Sequence, residues 1–86
     1  MSIESVSELD ALVREEQRLT AVECHNEAWA ESLSAGIEPD IIAEAALVTT
    51  FEEIVRAMGQ KATLSLIDRM REQLLAGEFD PVRTRH

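Results

Sequence analysis

Eighty-six residues suffice for one domain, and a domain this short buries a small share of its surface, so little stability is held in reserve. A formal net charge of −9 repels phosphate backbones and argues against duplex DNA or RNA as a partner. The hydrophobic content of 45% includes only 3% aromatics, so the apolar mass is Ala, Leu, Ile and Val, which helices accommodate readily.

The first helix is expected over residues 7–34, with Ser7 as N-cap and Asp10 three residues on as a weak capping box. Leu12, Leu19, Val22, Trp29 and Leu33 recur at three-four spacing and form a narrow seam, with Glu15 and Asn26 in the slots between them. Asn26 has the place of the single buried asparagine that fixes register in coiled coils. It is equally well read as a polar residue at the edge of the seam. A second stripe of Val6, Leu9, Val13, Cys24 and Ala28 lies on another side, which suits a helix with two neighbours.

The second helix is expected over residues 39–58, since Pro39 suits a first helical position and Glu38 and Asp40 place carboxylates at the positive end of the dipole. Ile37 and Ile42 have the spacing of a hydrophobic staple. Its apolar arc of Ile41, Leu47, Val48, Phe51, Ile54, Val55 and Met58 is wider than one neighbour covers, which makes this the most buried helix. Glu44 falls within that arc. If the first two helices pair antiparallel through the short turn at Gly36, Trp29 meets Glu44 and its indole N–H can donate to the carboxylate. A Glu52/Arg56 pair is expected on the opposite, exposed face.

The third helix is expected over residues 61–76, with Leu64, Ile67, Met70, Leu74 and Leu75 on one face. Gly36, Gly59 and Gly77 each stand where an apolar run stops. Phe79 is placed to fold back over the last turn, and the Asp80-Pro81 step leaves residues 78–86 as a C-terminal tail that frays from Val82 onward.

The chemistry-bearing residues do not assemble into a catalytic motif. A di-metal bundle needs Glu-x-x-His pairs, and neither His25 nor His86 has a glutamate three residues before it. Cys24 and His25 are adjacent, so a helix projects them about 100° apart and precludes a thiolate-imidazole pair in one chain. Glu23, Glu27 and Glu31 form an acidic ladder that reads as a solvated face. Three isolated glycines supply no phosphate cradle. A lone cysteine, no basic and apolar leader and no long apolar run point to an untargeted cytoplasmic protein.

These readings combine into an all-α fold: a three-helix antiparallel bundle with a long first helix, forming a single helical domain over residues 1–86 and completed by homodimerisation. The expected role is a protein-protein interaction or assembly module without catalysis, cofactor, metal, membrane or nucleic acid. Its structural or interface candidates are Leu12, Leu19, Val22, Asn26, Trp29, Leu33, Glu44 and Phe51. A regulatory, antitoxin-like protein that binds a different chain is one alternative, and a metal- or ligand-binding bundle is another.

Charge is unevenly spread. Residues 1–55 hold thirteen carboxylates against two arginines, whereas residues 56–86 hold six basic groups against four carboxylates. A solvated acidic face explains this adequately, and an antiparallel or head-to-tail arrangement of chains would also be favoured by it.

Overall fold

The structure, a computed structural model, describes residues 3–81. They form two helices, α1 (Ile3–Ser34) and α2 (Pro39–Leu75), and there is no strand among the described residues. The expected all-α class holds at that level. Residues 82–86, where the frayed tail was expected, lie outside the described residues. Contacts group the chain into two compact units, Met1–Ala43 and Glu44–His86.

In the first unit, α1 begins at Ile3, which corrects the expected start at Ser7. Ser7 is therefore inside the helix and cannot cap it. The physical reason is that residues 3–6 contain no glycine or proline, and extending an existing helix adds one hydrogen bond for each residue fixed. At the other end, Gly36 N–H donates to the Leu33 carbonyl at 2.9 Å and Ile37 N–H to the Ser32 carbonyl at 3.2 Å. This pair of bonds is a Schellman motif, and it needs the left-handed φ of +83° that Gly36 adopts.

Two residues later α2 starts at Pro39, as its sequence predicts. The Glu38 carbonyl accepts from Ile41 and Ile42 N–H, both at 3.1 Å, so Glu38 occupies the N-cap position by its backbone. Ile42, at the position a hydrophobic staple would use, is the one buried apolar side chain among the described residues, at 9% exposure.

In the second unit the expected break at Gly59 is real, although the helices on either side follow one another without a loop. Gly59 alone is non-helical, with φ 87° and ψ 168°, and it divides α2 into segments 39–58 and 60–75. That region of backbone space is open essentially to glycine only. Thr63, at 5% exposure, donates its hydroxyl to the Gly59 carbonyl at 2.8 Å and anchors the first turn after the break. The second helix ends on another Schellman pair, from Gly77 N–H to the Leu74 carbonyl and Glu78 N–H to the Gln73 carbonyl.

Which faces the second unit covers differs from the sequence expectation. Phe51 and Ile54 are half-buried, whereas Leu47, Val48, Val55 and Met58 stay exposed. Beyond Gly59 the half-buried positions are Ala62, Leu66, Ile67 and Gln73, while Leu64, Met70, Leu74 and Leu75 are exposed. Phe79, expected to fold back over the last turn, is exposed too. Of the face expected from sequence only Ile67 is half-buried, and the coverage shifts toward Ala62, Thr63 and Leu66 beside it.

Candidate interaction surface

With α1 continuous from Ile3 to Ser34, the three-four spacing becomes a geometric fact. Leu12, Leu19, Asn26 and Leu33 recur every seven residues, and Glu15, Val22 and Trp29 sit three residues after the first three of them. At 100° per residue all seven fall within an arc of about 100°, extending about 32 Å along the helix. They are the a and d positions of a heptad.

That stripe is open. Leu12 is 64% exposed, and even Trp29, its best covered large side chain, is 39% exposed. Leu19, Val22 and Leu33 lie between these limits, and Asn26 is exposed as well. The expected seam residues thus share one face of α1, and every one of them is exposed. Val6, Leu9 and Val13, from the second stripe, are equally uncovered.

Glu15 interrupts the stripe and is held by its own helix. Arg18 donates Nε–H to Oε2 at 3.1 Å and Nη2–H to Oε1 at 2.6 Å, a two-pronged clasp across one turn. The Arg18 hydrogen bond is the main reason the Glu15 carboxyl lies below the usual carboxylate range, with a smaller opposing push from desolvation. Glu15 raises the Arg18 guanidinium in turn.

Glu44 requires a correction. It is exposed, so the expected burial beneath Trp29 does not occur, and its carboxylate keeps its water. An apolar arc buries a carboxylate only when a neighbour covers it, and here Val48 in the same arc is also exposed. The expected Glu52/Arg56 pair is likewise replaced by one from Arg56 Nη1 to Glu53 Oε1 at 2.9 Å. Three residues and four residues along a helix are both within reach, and rotamer choice decides between them. Of the eight candidates named from sequence, Phe51 alone is half-buried.

Cys24 is exposed on the outer side of α1, away from the heptad stripe. Glu23, Glu27, Glu31 and His25 are exposed on the same helix. Among the described residues no three His, Cys, Asp or Glu side chains are grouped to hold a metal ion. No helix among them is long and apolar enough to cross a membrane. Thr63 and Leu66 were missed by the sequence reading. A threonine four residues after a glycine stop was the available signal for the first, because its hydroxyl can return to that carbonyl. Compared with known protein families, curated proteins and solved structures, the chain matches none.

Proposed function

We propose that this protein is an assembly module whose helical bundle is completed by a second copy of itself. It carries out no catalysis of its own in this reading. The observation behind it is the exposure of nineteen large apolar side chains among the described residues, against Ile42 as the one that is buried. Large exposed apolar surface of this kind is a mark of an interaction site.

Area supports the same reading. The chain has 7770 Å² of accessible surface, whereas two separate compact bodies of half its 9.6 kDa mass would together have about 6,100 Å². Association of helical faces removes this excess from water, and each large side chain so covered contributes roughly 1.5–3 kcal/mol at full burial. The single exposed cysteine suits a reducing cytoplasm, where it stays a thiol.

The test is sedimentation equilibrium together with thermal melting from about 1 to about 100 µM chain, the range over which mass action on an associating protein is visible. The expected outcome is a mass above the monomer and a melting temperature that rises with concentration. A monomer with a cooperative, concentration-independent melt would overturn the reading.

A further inference from the structure

We infer that the α1 stripe is a parallel, in-register pairing surface whose occupant is α1 of a second copy. This rests on the assembly reading above and specifies its surface and orientation. Three features of α1 support it.

The first is length and regularity. From Leu12 to Leu33 the stripe runs through three full heptads of uninterrupted helix, which is the extent at which a/d spacing becomes a coiled-coil signal. The second is Asn26. In a parallel register an a-position residue faces its own copy, so Asn26 meets Asn26 and each amide can donate to the other's oxygen. A pairing shifted by one heptad would set each asparagine against a leucine and leave its hydrogen bonds unmade. Val22 at d beneath Leu19 at a would by itself favour more strands, and the asparagine pair outweighs this single layer by selecting two.

The third is charge. Arg18 precedes the a-position Leu19 and Glu23 follows the d-position Val22, so they are the flanking g and e positions. In a parallel pair, Arg18 of one copy lies beside Glu23 of the other, and symmetry makes this contact twice. An antiparallel pair that layers Leu19 with Val22 instead sets Glu16 near Glu23 and Arg18 near His25, and one that layers Val22 with Asn26 sets Glu23 near Glu23 and His25 near His25. All of these juxtapositions are unfavourable or neutral. The parallel register costs Glu15 facing Glu15 and sets two acid-rich halves side by side; the Arg18 clasp compensates each Glu15 carboxylate within its own helix, and the remaining repulsion is between solvated charges and is screened by salt. Two of the five guanidinium N–H groups serve that clasp, leaving others directed outward for Glu23 of the second copy.

The experiment uses the full chain with Cys24→Ser, so that an introduced cysteine is its sole thiol. Leu12→Cys and Asn26→Cys are then made separately in that background, incubated in a glutathione redox buffer, and followed by non-reducing electrophoresis. Helix content is checked by circular dichroism. In the parallel register each a-position pair comes within the roughly 4.4–6.8 Å between Cα atoms that a disulfide spans. Both variants are expected to form disulfide-linked dimers more than about tenfold faster than the wild-type chain through Cys24, which lies outside the seam.

If the Cys24→Ser parent sediments as a dimer but Leu12→Cys does not crosslink, the parallel pairing is wrong while the assembly reading stands. If Asn26→Cys crosslinks and Leu12→Cys does not, the helices cross antiparallel near residue 26, and the inference is again overturned. A monomeric parent overturns both.

Discussion

Two polar contacts set the terms at the scale of single residues. Glu15 is held by Arg18, and its folded-state pKa lies below the ordinary value. Such a group stabilises the fold above its unfolded pKa, and that contribution is lost as pH falls through the lower, folded value. Acid titration of wild type against Glu15→Gln should therefore show the full wild-type advantage above the ordinary carboxylate pKa, a declining one below it, and convergence once pH has fallen through the lower, folded value. Both side chains are solvated, so the difference at neutral pH should be small and should shrink further with added salt. Thr63 is the opposite case, buried and bonded to the Gly59 carbonyl. Thr63→Val keeps the shape and removes the hydroxyl, with an expected cost of about 0.5–1.5 kcal/mol in chemical denaturation.

Leu19 and Phe51 separate folding from assembly. Phe51 is half-buried within its unit, so Phe51→Ala should lower stability by about 2–3 kcal/mol at any protein concentration. Leu19 is exposed in one chain, so Leu19→Ala should leave a dilute sample almost unchanged and weaken self-association about tenfold or more, as read by sedimentation. Equal effects on dilute and concentrated samples would show that Leu19 is not at an interface between copies.

At the scale of elements, the glycines at the two internal breaks differ in what they demand. At both Gly36 and Gly59 an added Cβ would meet no atom within 4 Å, so substitution tests backbone strain without a clash. Gly36→Ala meets the ordinary left-handed penalty of about 1–2 kcal/mol. Gly59→Ala should cost up to about 3 kcal/mol, since φ 87° with ψ 168° lies where side chains are excluded. A Gly59→Ala chain that melts like wild type would mean that the two segments of α2 can fuse into one straight helix. Alanine's own helix preference, which favours that fusion, is the opposing effect in the measurement.

The stops and starts of the elements were legible because each is local chemistry. Pro39 opens α2, Gly36 and Gly77 cap, and Gly59 interrupts, all by rules that involve a few neighbouring residues. The start of α1 at Ile3 was not, because capping by Ser7 and further propagation compete and differ by little. The choice of stripe in 60–75 was not legible either. Leu64 and Leu66 are equally apolar, and which one is covered depends on the segment it meets.

Burial is sparse among the described residues of the whole molecule, so a single chain is expected to be only marginally stable. One buried apolar residue among those described, with Phe51, Ile54, Leu66 and Ile67 half-buried, leaves little to offset the conformational entropy of two long helices. Long helices in water draw their stability from packing of an amphipathic face more than from propensity. Self-association is therefore expected to add to the stability of a marginal single chain, with melting temperature rising with concentration as mass action requires.

The helical class, the breaks at glycine and proline, and the heptad stripe on α1 are legible in the chain's local residue order, because period and backbone conformation are encoded within a few residues. Only the tertiary structure decided that Leu12, Leu19 and Trp29 remain open, that Glu44 is solvated, and that Thr63 and Leu66 are covered in place of Leu64. Burial is a relation between a side chain and a distant segment, and the strength of a residue's own hydrophobicity does not specify which segment arrives to cover it.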